Sequence, residues 1–326
     1  MDFTHLHFKG KTTSPWSIGR RYYSNFIYCQ NYLWGRAIRG PILGYLLKSY
    51  CPHLPADILP CDQCTEQKEC PYFHLNGSEK EGELKDTPKL VVTTLTFDKY
   101  ESSRISLISR DSATNGVALG PVTIEHVPSD VSFEFEVILT GDATRFSDQV
   151  IEAVKGTLTL IGWGGRCSRG YGRGRILNVS ENNFDEWLMQ YVDKRVGVLE
   201  DESNVTLKLF PLLILDTDDG FIFTNLIEKN FTAKIKHCLS ERYWQFFKEP
   251  HYLDIKSVSG SCSFTTLRAW SRKDNDAGRF GGLTGDLNLE FRTPLKKEDL
   301  RTLSIAWYGI GRYKNQGFGS LRPKEG

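Results

Sequence analysis

The feature that most constrains the fold of this 326-residue chain is an internal repeat. Residues 131–179 and residues 285–323 each begin with a segment in which apolar and polar residues alternate. Each continues into an amphipathic segment with an acidic first turn, then a small-residue turn, a basic linker and a Gly-aromatic-Gly triplet. The alternation predicts a strand, and the amphipathic segment predicts a helix. Strand, helix, glycine loop and strand together form the second half of a ferredoxin-like βαββαβ unit.

The regions that precede the two repeats supply the first half of the same unit. The first region predicts, in order, a strand at 3–12, a helix at 36–50, and strands near 88–97 and 117–126. The second predicts, after a connecting helix at 181–196, a strand at 205–215, a helix at about 226–248 and a strand within 261–270. We therefore expect an α+β fold with two tandem ferredoxin-like (RRM-like) domains, at 1–180 and 181–326.

Each predicted domain ends in a glycine-rich loop that also carries positive charge. The loop glycines are Gly164, Gly165, Gly170 and Gly172 in the first domain and Gly309, Gly311, Gly317 and Gly319 in the second. The loop cations are Arg166, Arg169 and Arg173 in the first domain and Arg312 and Lys314 in the second. Glycine lets backbone N–H groups approach an anion, and arginine binds phosphate in bidentate fashion. The loops therefore predict RNA binding, although the glycines could serve only a tight turn and the arginines a solvated rim.

Two other basic segments are candidates for the same RNA surface. Arg36 and Arg39 stand at the start of the helix predicted at 36–50, where the helix dipole already favours anions. Arg268 and Arg272 flank Trp270 in a segment that leads into a glycine turn. The first pair could equally be ordinary surface charges, and the second segment could be an edge strand that charge keeps soluble.

Four of the eight cysteines lie within twenty residues, at Cys51, Cys61, Cys64 and Cys70. The Cys61-x2-Cys64 pair has the spacing of a zinc knuckle, and a tetrahedral zinc site needs four such ligands. We predict a structural zinc site in an insert at about 51–75, with His53 or His74 as possible substitutes for a cysteine. Free thiols are the alternative. The insert has no open ligand set, so no catalytic metal is expected.

Composition and missing motifs limit the functional classes. The formal net charge is +1, so a polyanion partner must be argued from local charge rather than from the total. The N-terminus has no apolar core of signal-peptide length, and no stretch approaches the ~18 apolar residues of a membrane helix. We expect a soluble, cytoplasmic protein. The sequence carries no Walker A or Rossmann fingerprint and no recognisable catalytic triad order.

In combination, these motifs resemble the RAMP superfamily of CRISPR-associated proteins, and within it the endoribonuclease branch that cuts precursor CRISPR RNA. The resemblance rests on the Arg39-Gly40 step, the cysteine insert that ends in Cys70-Pro71-Tyr72, the Trp270-Ser271-Arg272 segment before Gly281-Gly282, and the C-terminal pair of motifs. Those last motifs are Gly309-Ile310-Gly311-Arg312 and Gly317-Phe318-Gly319. The resemblance implies tandem ferredoxin-like domains, binding of a CRISPR repeat RNA, and cleavage without a metal ion.

The implied reaction needs a proton acceptor, a proton donor and cations that stabilise charge on the phosphate. In the family a catalytic histidine often lies on or near the first helix of the first domain, but the helix at 36–50 contains none. The candidates are therefore His53 as base or acid, Lys48 as electrostatic stabiliser and Tyr45 as positioning group, with His5 and His7 in reserve. Two alternatives stay open. One is a RAMP subunit that binds crRNA inside an effector complex, with other CRISPR-associated subunits, and cuts nothing; the other is a zinc-stabilised interaction module outside CRISPR systems.

Overall fold

A computed structural model describes residues 2–23, 26–51, 64–65, 67–76, 89–110, 117–271 and 276–324. In the first half, strands β1 (Phe3–Thr12), β2 (Gly19–Tyr23), β3 (Phe26–Cys29) and β4 (Tyr32–Leu33) precede helix α1 (Gly35–Tyr50). There follow α2 (Pro71–Asn76), β5 (Leu90–Val92), β6 (Leu95–Phe97), β7 (Ser103–Arg110), β8 (Val117–His126), β9 (Ser132–Thr140), α3 (Ser147–Gly156) and β10 (Gly174–Asn182). The predicted strand at 3–12 and the predicted helix at 36–50 are thus confirmed.

The main sheet of the first half has the order β10-β1-β9-β6-β4, with β5 also paired to β9. Its neighbouring strands are antiparallel, so β1, β5–β6, β9 and β10 take the 4-1-3-2 order of a βαββαβ unit. Alternation along β1 explains the orientation of this sheet. Leu6 and Phe8 are buried in the core that α1 and α3 cover, while His5 and His7 point to the opposite face.

A second, smaller sheet of the first half was not predicted. It has the order β2-β3-β8-β7, and β3 pairs with β8 in parallel although about a hundred residues separate them. β2 and β3 have only five and four residues, so they leave little local pattern. The strand predicted at 117–126 is β8, but it belongs to this small sheet, and β9 takes its expected place in the main sheet. Two of its strands, β2 and β3, precede α1 directly in the sequence.

The second half repeats the architecture after a helical connection. That connection comprises α4 (Phe184–Trp187), a π-helical segment (Leu188–Asp193) and α5 (Lys194–Val196). The remaining elements are β11 (Asn204–Leu213), α6 (Phe231–Phe247), β12 (Ile255–Ser271), β13 (Asp276–Phe291), α7 (Lys297–Ile305) and β14 (Ser320–Pro323). The sheet order β12-β13-β11-β14 is again that of a βαββαβ unit, with antiparallel neighbours. No helix among the described residues is long and apolar enough to span a membrane.

The helix predicted at about 226–248 begins later, at Phe231. The carboxylate of Glu228 accepts hydrogen bonds from the backbone N–H groups of Thr224 and Asn225, which holds the preceding residues in a turn. Asn230 then takes a left-handed conformation, with φ of 70°, at the N-cap. Side chains that bond to nearby backbone groups compete with helix formation, and this shortens the helix.

Aromatic packing joins the two halves. Trp187 Nε1 donates to the Tyr308 hydroxyl at 2.8 Å, and both rings are buried with Phe3 and Phe246. Because Phe3 lies on β1 and Tyr308 lies after α7, this cluster ties the first sheet to the second half of the chain. The connecting segment at 184–196 is packed between them.

Candidate nucleic-acid interface

The start of α1 lies against the glycine loop of the second half. A Cβ atom added at Gly35 would lie 2.1 Å from the Val92 carbonyl oxygen and 2.9 Å from that of Gln316. Only glycine permits so close an approach. The Thr94 hydroxyl also donates to the Gly317 carbonyl oxygen at 2.8 Å. The second loop is therefore fastened to the first half of the chain at the first residue of α1.

The glycines of the second loop are required by its backbone. Gly309, Gly311, Gly317 and Gly319 all have positive φ, between 68° and 90°. A Cβ at Gly319 would lie 2.0 Å from the Ile310 carbonyl oxygen. The ring of Phe318 between two of these glycines is buried and lies 5.5 Å from the Trp34 ring. The Gly-aromatic-Gly triplet therefore anchors the loop, and its glycines have a structural role whether or not RNA binds.

The two cations predicted in the second loop have carboxylate partners. Arg312 Nε lies 3.1 Å from Asp216 Oδ2, with about half of the arginine side chain exposed. Lys314 Nζ lies 2.7 Å from Glu241 Oε1, and only 12% of the lysine side chain is exposed. Burial, with help from Arg242, lowers the pKa of Lys314. Lys314 therefore stabilises the loop internally, and Arg312 is the more accessible of the two cations.

The first glycine loop is fastened to the segment between β1 and β2. The Gly165 and Gly172 N–H groups donate to the carbonyl oxygens of Ser17 and Pro15, each at 2.8 Å. Trp16 Nε1 donates to the Arg173 carbonyl oxygen, also at 2.8 Å. The backbone of this loop is therefore fixed by hydrogen bonds, as in the second loop.

The cations of the first loop, unlike those of the second, are free of carboxylates. Arg169 and Arg173 are exposed and Arg166 is half-buried. Within the described part of the chain, none of these three guanidinium groups pairs with a carboxylate within 4.0 Å. Arg166 also has a positive φ of 61°, which turns the chain at this point. An unpaired arginine on a fixed loop is available for an anionic ligand.

Both loops contact the same short segment of chain. A Cβ on Gly164 of the first loop would lie 3.9 Å from Leu33 Cδ1, and one on Gly317 of the second loop would lie 2.8 Å from the Gly35 nitrogen. Leu33 and Gly35 are only two residues apart. Both glycine loops therefore lie close to the start of α1.

The arginines at the start of α1 have different surroundings. The Arg36 guanidinium carbon lies 4.9 Å from the centroid of the Phe280 ring and 5.8 Å from that of Tyr313. Arg39 instead donates to the carbonyl oxygens of Leu75 and Asn76 at the end of α2. Arg36 is therefore the arginine of this helix that faces the second loop. Of the remaining pair, Arg268 is the register partner of Arg279 between β12 and β13, while Arg272 lies outside the described residues.

The predicted catalytic residues lie at the other end of α1. The Tyr45 hydroxyl donates to Glu152 Oε1 at 2.8 Å, and this hydrogen bond raises the pKa of Tyr45. Lys48 is exposed and lies twelve residues after Arg36, or about 18 Å along a helix. His53 lies outside the described residues. The described residues therefore place Tyr45 and Lys48 together but distant from the start of α1.

The reserve histidines belong to a buried network between the two halves. His5 Nε2 lies 2.8 Å from Glu136 Oε2, and the Arg195 guanidinium and the Tyr308 hydroxyl donate to the same carboxylate. Burial alone would raise the pKa of Glu136, but Arg195 and His5 outweigh it and lower the pKa well below its usual range. His7 Nε2 lies 3.2 Å from Glu134. These contacts assign both histidines to the packing of the two halves.

One histidine that the sequence did not single out adjoins the first glycine loop. The centroid of the His126 ring lies 6.1 Å from that of Tyr171, the aromatic residue of the Gly-Tyr-Gly triplet. The His126 side chain is 8% exposed, and its Nδ1 has no hydrogen-bond partner among the described residues. Buried ring nitrogens are normally hydrogen-bonded, so this nitrogen is a candidate for proton transfer or for contact with a ligand. No sequence motif marks it, because only the fold brings residues 126 and 171 together.

Three of the four clustered cysteines lie in the described residues. Cys51, Cys64 and Cys70 are half-buried, whereas Cys61 lies outside those residues. Across the described ranges, no three His, Cys, Asp or Glu side chains are grouped as a metal site would need. His74 Nε2 lies 3.0 Å from an Arg145 guanidinium nitrogen, and such a cation disfavours a metal ion at the same nitrogen. The zinc site stays a prediction, which rests on the spacing of the four cysteines in the sequence.

No family model matches the chain, and no curated protein matches its sequence. Among solved structures, it aligns with a Cas6 product complex over 100% of both chains, at 11% identity and a TM-score of 0.46. It aligns with Thermus thermophilus Cas6 over 99% of this chain and 98% of that one, at 11% identity and a TM-score of 0.43. A Type III-B Cmr-beta complex bound to cognate target RNA aligns over 56% of this chain at 14% identity and a TM-score of 0.40. The chain covers 61% of that last structure, which is less than two-thirds of its length.

Proposed function

We propose that this chain is an RNA-binding protein of the RAMP superfamily, which binds a CRISPR repeat RNA at the start of α1. The observation that carries the proposal is that both glycine loops lie close to the segment Leu33–Gly35: Cβ atoms added at Gly164 and Gly317 would lie 3.9 and 2.8 Å from it. Arg36 stands at this point, and Arg169 and Arg173 extend the positive charge along the first loop. Partners of the same system, CRISPR RNA and other CRISPR-associated subunits, belong to the proposal.

The chemistry of this surface suits a phosphodiester chain. Arginines that lack a carboxylate partner bind phosphate with charge-assisted hydrogen bonds, and the first turn of a helix adds backbone N–H groups. The low net charge of the chain does not oppose this binding, because the cations are concentrated locally. The aromatic rings of Phe280 and Tyr313 next to Arg36 can in addition contact an unpaired base.

The proposed reaction is cleavage within the repeat without a metal ion. The 2′-OH of a ribose attacks the adjacent phosphate, its proton passes to a base, and the leaving 5′ oxygen takes a proton from an acid. The products are a 2′,3′-cyclic phosphate and a 5′-OH. His53, Lys48 and Tyr45 are the proposed catalytic group, and His126 is added as a further proton-transfer candidate because its Nδ1 lacks a partner among the described residues.

The test is incubation of the purified chain with an end-labelled repeat RNA in EDTA. We expect one discrete cut that leaves a cyclic phosphate, and a loss of cutting in His53→Ala or His126→Ala without a loss of binding. Chemical probing of the product ends distinguishes a cyclic phosphate from the 3′-hydroxyl that metal-dependent hydrolysis leaves. A repeat RNA that neither binds nor is cut would overturn the whole proposal.

A second candidate function is a RAMP subunit that holds crRNA without cutting it. This alternative is favoured by the distance, about 18 Å along α1, between Arg36 and the proposed catalytic Lys48. It is also favoured by the hydrogen bond that engages the Tyr45 hydroxyl with Glu152. RNA that binds tightly and stays intact, in the wild type and in each histidine variant, would select this function.

A further inference from the structure

We infer that the exposed face of the small sheet β2-β3-β8-β7 is a second RNA subsite, which binds unpaired bases by stacking. The inference rests on the proposed function in one respect: the bound strand is taken to be RNA that continues from the start of α1. It goes beyond that function because neither the glycine loops nor α1 belongs to this sheet.

The side chains on this face form an aromatic surface. Phe26 and Tyr28 lie two residues apart in β3, so both point to the same face, and their ring centroids are 4.5 Å apart. Tyr28 is 42% exposed. The guanidinium carbon of Arg104, from the far edge strand β7, lies 5.3 Å from the Phe26 centroid. Two hydroxyls, on Ser106 and Thr123, lie 3.2 Å apart beside this cluster.

The opposite face of the sheet accounts for the stability of these strands. Ile27 and Ile124 are register partners in β3 and β8, and both are buried, with 6% and 0% of their surface exposed. A sheet with one buried face normally presents polar residues on the other. The half-buried ring of Phe26 and the exposed ring of Tyr28 lie on the face that is not packed, and these rings with Arg104 suit a ligand that has flat, aromatic groups.

Arg104 is the cation of this face that is available to a phosphate. The carboxylate on this face belongs to Glu125. Its two oxygens accept hydrogen bonds from the Cys29 N–H at 3.1 Å and from the Ser102 hydroxyl at 2.7 Å. Within the described residues, Arg104 forms no ion pair. Between Asp2 and Asp57 the sequence contains no acidic residue, although it contains seven lysines and arginines.

The face is also continuous with the proposed interface. β3 ends at Cys29, six residues before Gly35. The turn between them is held by a buried hydrogen bond in which Trp34 Nε1 donates to Gln30 Oε1 at 2.9 Å. At its other side the sheet ends at His126, whose ring contacts Tyr171 of the first glycine loop. His126 follows Ile124 by two residues and so points to the buried face, which leaves the short connection from β3 to α1 as the route by which a bound strand would continue onto the small sheet.

These groups recognise unpaired rather than paired bases. Single-stranded bases stack on tyrosine and phenylalanine rings and on arginine guanidinium planes, whereas the bases of an RNA helix are inaccessible to such side chains. Hydroxyls such as those of Ser106 and Thr123 can bond to base edges. We therefore expect a strong preference for single strands and a weak preference for sequence.

The test compares a repeat RNA with the same RNA extended by about eight unpaired nucleotides, within the range that one binding domain occupies. In the wild-type chain the extension should tighten binding by about fivefold or more, the effect of at least one stacked base. Tyr28→Ala and Arg104→Ala should remove that gain and leave the affinity for the unextended repeat unchanged. Tyr28→Phe should keep the gain, because it retains the ring.

The control is Tyr252→Ala, at a tyrosine of the second half that is more exposed than Tyr28, which should change neither affinity. Binding of the eight-nucleotide extension by itself, measured through quenching of tyrosine fluorescence, separates the repeat-binding proposal from the subsite proposal. If the extension binds but the repeat does not, the repeat-binding function falls and the subsite stands. If the repeat binds but the extension adds nothing, or if the gain survives both variants, the subsite is wrong. If neither RNA binds, both proposals fall.

Discussion

The guanidinium carbon of Arg36 lies 4.9 Å from the centroid of the Phe280 ring. Arg36 belongs to the first turn of α1 and Phe280 to β13, so this cation–π contact joins the two halves of the chain close to both glycine loops. A guanidinium that stacks on a ring still presents its N–H groups at the edge of the stack. Arg36 is thus held in place while its donors stay available for phosphate.

The first prediction concerns Arg36→Ala. We expect the affinity for repeat RNA to fall by about tenfold or more, since a hydrogen bond to a charged group contributes about 1.5–3 kcal/mol. The slope of log Kd against log salt concentration should also fall by about one, because one phosphate contact is lost. Filter binding across a range of salt concentrations measures both quantities.

The matched control is Arg292→Ala. Arg292 is an exposed arginine at the end of β13, 3.6 Å from Asp254, and it lies away from the glycine loops in the chain. Its removal should leave the affinity and the salt slope unchanged. Equal losses in both variants would mean that only the net charge matters, and the assigned interface would be wrong.

The second prediction concerns the backbone of the second loop. Gly319→Ala should destabilise the chain by about 1–3 kcal/mol or more, because a non-glycine residue at a strained positive φ carries such a cost. The added Cβ would also lie 2.0 Å from the Ile310 carbonyl oxygen. Chemical denaturation measures the loss of stability.

Gly40→Ala serves as the control for the same substitution. Gly40 lies within α1, and nothing lies within 4 Å of an added Cβ. Alanine should stabilise the helix there by about 0.5–1 kcal/mol. A Gly319→Ala variant as stable as the wild type would contradict the described loop conformation.

The third prediction concerns the pH dependence of stability through Glu136. Its pKa is lowered in the folded chain, chiefly by Arg195 and His5 acting against burial, so ionised Glu136 favours the folded state. This stabilisation is complete above the unfolded pKa of about 4.3 and is lost as the pH falls towards the lower folded value. Glu136→Gln should therefore cost about 3–5 kcal/mol at pH 7 and flatten the decline of stability below pH ~4.

Glu134→Gln is the comparison for this carboxylate. Glu134 lies on β9, the strand that also carries Glu136, and it pairs with His7 of β1. About half of the Glu134 side chain is exposed. We expect it to cost less than about 1 kcal/mol, as partly exposed pairs do. Urea denaturation from pH 3 to pH 7 would show the difference, and equal acid sensitivity in both variants would refute the role given to Glu136.

The fourth prediction separates structure from catalysis at Tyr45. Tyr45 and Tyr50 both donate to the Glu152 carboxylate, at 2.8 and 3.0 Å. Tyr45→Phe and Tyr50→Phe should therefore each lower stability by about 1 kcal/mol. If Tyr45 positions RNA for cleavage, only Tyr45→Phe should also slow the single-turnover rate. Equal rates in the two variants would remove Tyr45 from the catalytic group.

The fifth prediction concerns the cysteine insert. We expect about one zinc ion per chain by elemental analysis, since four thiolates form one tetrahedral site. Cys64→Ser and Cys70→Ser should lower both the zinc content and the melting temperature, whereas Cys262→Ser, in β12, should change neither. Removal of the metal should destabilise the chain and leave RNA cleavage intact. Four thiols that react freely in the native chain would contradict the site.

Local patterns predicted the larger elements well. The alternation of Val205, Leu207 and Leu209 in β11 directs these side chains into the core, and the same pattern identified β1 and β9. The repeat predicted that both halves would share one strand order, and both sheets have it. These elements could be predicted because each strand is nine or ten residues long and contains several alternating positions.

Partnerships between distant residues could not be predicted in the same way. The sequence places Lys314 in a basic loop, but only the fold brings Glu241 to its ammonium. It also leaves His126 without a motif, because Tyr171 reaches that ring only after the sheets have formed. The pairing of β3 with β8 follows the same rule.

The amino-acid sequence by itself determined that the chain has two halves of one architecture and that each half carries a basic glycine loop. The tertiary structure decided which of those cations have a carboxylate partner, and that both loops lie close to the start of α1. The reason is physical: periodicity and turn residues act over a few neighbours, whereas burial and ion pairing depend on groups that lie far apart in the chain. The availability of Arg36 and the burial of Lys314 are consequences of folding, and no local pattern distinguishes the two.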